Sequence, residues 1–164
     1  MGKPWAPSSL RSATSRPTFQ CERSHEVLWS TPGHTIRICN LYGYCGGTEL
    51  DILATGAVAR QALERAEAGG GGPSVVLGDF NSLLLDLPCA FSYDIAGWRV
   101  LHVAGTCSAS TAEQVRRIDL LLANSGFRNL TRSTAVSWVD GFATHATQTV
   151  TLDAVRPGAA PLWC

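Results

Sequence analysis

The sequence has no long apolar run. No apolar stretch approaches the ~20 residues that cross a bilayer, so no membrane partner is expected. There is no excess of either charge: thirteen Lys and Arg stand against thirteen Asp and Glu, and the isoelectric point is about 6.9. That argues against a protein held to nucleic acid by bulk electrostatics, though a local basic patch stays open. Charged residues are scarce, 16% against 45% apolar, which marks a globular chain rather than a disordered one. The six cysteines (Cys21, Cys39, Cys45, Cys89, Cys107 and Cys164) form no C-x-x-C pair, and no Cys/His spacing resembles a zinc knuckle. No secretory apolar core is present, so a disulfide framework is unsupported. The thiols read as reduced and mostly buried, in an intracellular protein of the nucleus or cytoplasm. Residues 1–20 contain no acid, only Lys3, Arg11 and Arg16 among Ser and Thr. That composition fits a disordered leader, an organelle transit peptide or the interior of a longer reading frame. No internal repeat is present.

The 164 residues suffice for one domain with a real core. The chain reads as a leader or disordered segment over 1–23, a domain over 24–155 and a Pro-containing tail over 156–164. Within the domain, 26–29 and 35–41 are strands of a hairpin turned at Pro32-Gly33. Residues 48–68 form the best helix: Thr48 and Asp51 are spaced as a capping box, and Ala, Leu, Glu and Arg follow. Gly69 to Pro73 end it and lead into the β-branched run Ser74-Val75-Val76-Leu77. Strand, helix and strand in that order predict layered α/β architecture. Residues 82–97 read as a short helix and loops, 116–123 as a second buried strand, 136–138 as another, and 147–152 as the last. Trp98 and Trp138 read as core, His25 and His34 as surface or turn residues, and His102 as a core histidine.

Two places carry polar groups that core packing alone does not require. The first is Gly78-Asp79-Phe80-Asn81, at the end of an apolar strand. In an extended chain Asp79 and Asn81 point the same way, and Gly78 lets a backbone or a substrate come close. A carboxylate and an amide so placed can orient a water beside a phosphate. A plain strand-ending turn uses the same residue types. The second is Asp119, a charge set into an apolar run, which needs a partner because an unpaired buried carboxylate is costly. His145 is one candidate, since an Asp–His pair fixes the imidazole tautomer. Arg116 and Arg117 are the others.

Taken in order, Asn40-Leu41-Tyr42-Gly43, Gly78-Asp79-Phe80-Asn81, Arg117-Ile118-Asp119-Leu120-Leu121-Leu122 and Thr144-His145 resemble the motifs of the endonuclease/exonuclease/phosphatase superfamily. Its members include apurinic-site and retrotransposon endonucleases, DNase I, deadenylases and inositol-polyphosphate phosphatases. The resemblance implies a DNase I-like α/β fold, a two-sheet (four-layer) sandwich of which this chain holds part. It implies that Tyr42 contacts the scissile phosphate and that Asp79 orients or deprotonates the attacking water. Asn81 holds that water or a phosphate oxygen, and Asp119 orients His145 against the phosphate. Asn40, Thr106, Arg116 and Arg117 are the implied substrate contacts. Asp79, Asn81 and His145 are the implied ligands of a divalent ion, magnesium first and manganese second. The implied partner is nucleic acid, DNA or RNA.

Two departures qualify the implication. Thr144 stands where the family has an aspartate before the histidine. The family's asparagine and main metal-binding glutamate, normally far upstream of the tyrosine, find no counterpart: Glu22 and Glu26 are the nearest acids, and neither stands at a strand end. The resemblance therefore covers about residues 26–154, the C-terminal half of a family domain. A nuclease-like hydrolase, an inactive fragment or interaction module, and a phosphatase of small esters all follow as readings. A half-sandwich also predicts an open apolar sheet face, covered by a partner chain or a second copy.

Overall fold

The computed structural model describes residues 16–21, 23–31, 33–88, 97–101, 105–108, 115–139 and 144–153. Its centre is a six-stranded mixed sheet. β1 (Arg16–Cys21), β2 (Ser24–Thr31) and β3 (His34–Tyr42) run antiparallel in sequence. The chain then crosses through α1 (Glu49–Ala68) to β4 (Ser74–Asp79), which lies parallel to β3. β5 (Arg99–Val100) is the far edge. A small ladder of β6 (Cys107–Ser108) and β7 (Val115–Arg116) leads into β8 (Asp119–Ala123), which fills the gap between β4 and β5. Beyond it come α2 (Ser125–Leu130) and a separate hairpin of β9 (Thr131–Ser137) and β10 (Thr147–Leu152).

Local chemistry accounts for the helices. Thr48 caps α1: its hydroxyl accepts the Asp51 N–H and its own N–H donates to the Asp51 carboxylate, the reciprocal box expected from their spacing. Gly56 inside α1 is buried against Pro88, whose ring leaves no room for a methyl group. Asn124 caps α2 by accepting the Phe127 N–H, and it also accepts the Ser74 N–H.

Alternation along the strands gives the sheet two faces. On one, Cys39, Leu41, Val76, Leu120 and Leu122 pack under Ala59, Ala62, Leu63 and Ala66 of α1, with Phe80 and Trp98 closing the cluster. Each such large side chain removed from water contributes roughly 1.5–3 kcal/mol. On the other, Ile36, Val75, Leu121 and Ala123 pack under Phe127 of α2, with Leu130, Val150 and Leu152 beside it. Among the described residues, no helix is long and apolar enough to cross a membrane.

Several expectations change. Residues 16–21, assigned to the leader, form an edge strand paired to β2. The single strand over 116–123 is two, broken at Arg117-Ile118. α2 has no counterpart in the sequence reading. Trp98 is core and its indole N–H donates to Glu67, but Trp138 is exposed. The sheet face opposite α1, expected to lie open, is packed in part by α2 and the β9–β10 hairpin through Phe127, Leu130, Val150 and Leu152. His102, Cys89, Cys164 and the tail lie outside the described residues.

Candidate active site

The parallel pair β3–β4 and the antiparallel strand β8 bring three turning points to one edge of the sheet. Tyr42 ends β3, Asp79 ends β4 and Asp119 begins β8. They are register partners in a single row, Tyr42 beside Asp79 and Asp79 beside Asp119. All three therefore point to one face, opposite α1. A Cβ on Gly78 would overlap the backbone oxygen of Leu41, and Gly78 has a φ of 141°. The close approach allowed there is thus to β3, which draws Tyr42 and Asp79 together.

Asp119 is paired with His145 and, among the described residues, with no arginine. The imidazole Nδ1 lies 3.1 and 3.0 Å from the two carboxylate oxygens. A β-bridge between Cys107 and His145 and the bond from the Gln148 amide to the Asp119 carbonyl, 3.0 Å, bring β10 to this edge. Thr106, an implied substrate contact, is fully buried: its hydroxyl accepts the Asp119 N–H at 3.1 Å and so positions Asp119 from behind. Ligating atoms of Asp79, Asp119 and His145 all lie within 4.8 Å of one another. Asp79 and Asp119 border an open cleft of about 230 Å³ lined also by Leu77, Gly78, Ala146 and Gln148.

Asn81 departs from the extended geometry. It takes a φ of 51°, in the left-handed region that asparagine tolerates. Its N–H donates to Asp79 Oδ1 at 2.8 Å, and its amide nitrogen donates to the Gly43 carbonyl at 3.2 Å and to Cys45 Sγ at 3.3 Å. As placed, Asn81 ties the loop after β3 to the loop after β4. Tyr42 is 49% exposed, and its hydroxyl lies 3.3 Å from Cys45 Sγ. Asn40 is exposed one rung back on the same face as Tyr42. Arg116 is exposed, Arg117 is half-buried, and Arg116 lies opposite Cys107 in the β6–β7 ladder. Thr144 is exposed beside His145.

Electrostatics follow from this crowding. Burial pushes the Asp79 carboxyl above its usual range. The nearby Asp119 charge adds to the rise, and the Asn81 N–H and His145 oppose it. The Cys45 thiol, hydrogen-bonded to the Tyr42 phenol, raises that group too, which favours a neutral donor. Burial raises the Cys107 thiol, and the two aspartates add to it. Of the thiols read as buried, Cys39 is buried, but Cys45 is exposed at the site and Cys107 is half-buried beside it. Glu26, the nearest upstream acid, is turned away. It stands opposite Cys39 in the register, hence on the α1 face, where it is ion-paired with Arg37.

The donor set accords with one hard divalent cation. Asp79 and Asp119 supply carboxylate oxygens whose mutual repulsion such an ion would relieve, and His145 is a possible third ligand. Residues the sequence reading missed also converge here: Arg23, whose guanidinium lies over the Tyr42 and Tyr44 rings, together with Cys45, Cys107 and Gln148. Register alone could have indicated Arg23, since it precedes the pair Ser24–Leu41 and thus falls beside Tyr42.

No family model matches the sequence, and a search of curated proteins finds none similar to it. Solved structures do match. The endonuclease domain of TRAS1, a telomere-specific non-LTR retrotransposon, superposes with a TM-score of 0.68 at 12% identity, over 87% of this chain and 67% of that one. The 3′ phosphatase NExo from Neisseria, solved with a product DNA hairpin, gives a TM-score of 0.59 at 14% identity, over 87% and 71%. A mannosyl-6-phosphatase from Bacteroides thetaiotaomicron gives 0.51 at 15%, over 79% and 55%. The chain thus spans about two-thirds of the first two structures, and the likeness is one of fold. The expected architecture holds: this chain has the DNase I-like α/β fold of the endonuclease/exonuclease/phosphatase superfamily.

Proposed function

We propose that the chain is a divalent-metal-dependent phosphodiester hydrolase acting on nucleic acid, with a metal site one acidic ligand short. The observation that carries this reading is the row Tyr42–Asp79–Asp119, with His145 on Asp119, whose two carboxylates border a cleft. Structural packing alone gives no reason to place two carboxylates side by side. Their repulsion and burial cost stability, and a cationic or phosphate-bearing ligand would offset that cost.

Each side chain has a task its position allows. Asp79, its carboxyl raised by burial and oriented by the Asn81 N–H, accepts a proton from the attacking water. Asp119 holds His145 through Nδ1, which leaves Nε2 to meet a phosphate oxygen as negative charge develops. The Tyr42 hydroxyl donates to the same phosphate. Magnesium or manganese, held by Asp79 and Asp119, would supply Lewis-acid polarisation of the phosphoryl group. Neutral overall charge confines the electrostatic attraction for substrate to the local groups Arg23, Arg116 and Arg117.

A second reading, a non-catalytic module that retains the fold, is favoured by one observation. Glu26 is committed to Arg37 on the far face, and the described cluster holds two carboxylates only. The deciding experiment incubates the chain and its Asp79→Ala variant with labelled single- and double-stranded DNA and RNA, and with a sugar phosphate, across magnesium and manganese concentrations. Cleavage of nucleic acid by the chain and not by the variant is the expected result. Turnover of the sugar phosphate alone would move the reading to a small-ester phosphatase. No turnover under any condition would leave the non-catalytic module.

A further inference from the structure

Arg23 stands out among the described arginines near the site. It lies between β1 and β2, and its backbone oxygen accepts the Tyr42 N–H at 2.9 Å, which extends the β2–β3 register by one pair. That places Arg23 in the same row as Tyr42, Asp79 and Asp119, one strand beyond Tyr42 and on the same face. Its guanidinium carbon sits 5.5 Å from the centre of the Tyr42 ring and 4.5 Å from that of Tyr44. One of its nitrogens donates to the Gly43 carbonyl at 3.4 Å. Among the described residues, no carboxylate pairs with it, whereas Arg37 is paired with Glu26.

Stacking uses the face of a guanidinium and leaves its edge free. Five N–H donors lie in that edge, and among the described residues one is spent, on the Gly43 carbonyl. A planar, always-charged fork held on two aromatic rings is pre-organised for bidentate contact with phosphate. Two strand spacings separate Arg23 from Asp79, roughly 9–10 Å. Between backbones, that span sets Arg23 to one side of Asp79, so a strand laid along the row would bring a neighbouring phosphate to it.

Resting on the phosphodiesterase reading, we propose that Arg23, stacked on Tyr42 and Tyr44, binds the backbone phosphate next to the one at Asp79, so that the site takes a polynucleotide strand rather than an isolated phosphate ester. The two rings hold the guanidinium beside the row, and its charge steers the strand along it.

The test measures binding of a fluorescein-labelled, phosphorothioate-linked oligothymidylate of ~10 nucleotides by anisotropy, in magnesium, across a series of salt concentrations. Melting curves confirm that each variant is folded. Arg23→Gln removes the charge, so the slope of log K against log salt should fall in magnitude by ~0.7, the value for one phosphate contact to a single strand. Affinity should fall several-fold with it. Arg23→Lys keeps the charge, and its slope should stay with the parent chain. Binding by the parent with the same slope and affinity in Arg23→Gln overturns the proposal and leaves the phosphodiesterase reading intact. An equal loss of affinity in both variants with no change of slope also overturns it, because it shows a structural role alone. If the parent chain has no salt-dependent affinity for the probe, both the proposal and the polynucleotide reading fall together.

Discussion

Asp79 is the residue whose environment sets the chemistry. Its carboxyl is raised by burial and by Asp119, so the folded chain holds its proton to higher pH than the unfolded chain does. The sign of the linkage follows. Below the ordinary carboxylate range both states are protonated and Asp79 makes no difference. As pH rises, the unfolded state releases the proton first, and stability falls until the folded state has released it too. In chelator, urea unfolding midpoints should therefore decline with pH from the ordinary Asp range up to the raised value. Asp79→Asn should lack this part of the decline and be more stable than the parent at neutral pH, since the amide still accepts the Asn81 N–H. A parent chain and variant with parallel pH profiles would contradict the assigned strain. His145 is the complementary case. It sits half-exposed over Asp119 and supports little packing, so His145→Ala should cost little stability and reduce cleavage by about 10²–10⁴. An equal loss of both would make it a structural residue. That Asp119 needs a partner was legible, because a charge inside an apolar strand demands one; the choice of His145 over Arg116 and Arg117 came from the resemblance. Thr106 could not be placed: a threonine that holds the backbone from behind reads no differently from one that contacts substrate.

At the scale of elements, the strand–turn–helix–strand segment from β3 to β4 assembles half of the site. It was also the most legible part of the sequence, because each step uses a local signal: alternation in β3, the Thr48–Asp51 cap, the glycine run, then β-branched residues in β4. Gly78 is the point where local signal and tertiary need coincide. Its φ of 141° and the Leu41 carbonyl against it leave no space for a side chain. Gly78→Ala should therefore cost about 3 kcal/mol or more, and it should spread Tyr42 from Asp79. Thermal melts and cleavage should fall together, in contrast to His145→Ala. A melt within about 0.5 kcal/mol of the parent, the range of ordinary surface substitutions, would contradict the close approach. β1, β7 and α2 were not legible. β1 is an edge strand whose Pro17 and flanking Ser, Thr and Arg look like linker. α2 is six residues long, too short for periodicity to show, and is held by the Asn124 cap and by Phe127 in the second cluster. Trp138 shows the same difficulty, since an aromatic near a strand end reads as core until the hairpin turns it outward.

At the scale of the whole molecule, the sheet binds its two apolar clusters on opposite faces and leaves the charged row at one edge. That separation makes a metal-linkage test readable: the Asp79 and Asp119 carboxylates belong to neither cluster, so an effect on stability that depends on those two groups reports the site. An ion that binds only the folded chain stabilises by RT ln(1 + [L]/Kd). A site with two carboxylates and no upstream glutamate should be weak. With Kd of ~1 mM, 10 mM metal gives ~1.4 kcal/mol, which for a chain of this size is about 3–6 °C in melting temperature. Manganese should act at lower concentration than magnesium, given its place in the affinity order and the imidazole among the donors. The rise should saturate, and it should disappear in Asp79→Asn and in Asp119→Asn. Saturation matters because general salt effects do not saturate in this range and would appear equally in the variants. A parent chain whose melting temperature ignores both ions would remove the metal from the proposed mechanism. Asp79 would then be left as a buried carboxyl whose cost no cation offsets, and the row would be a relic of the fold rather than a working site.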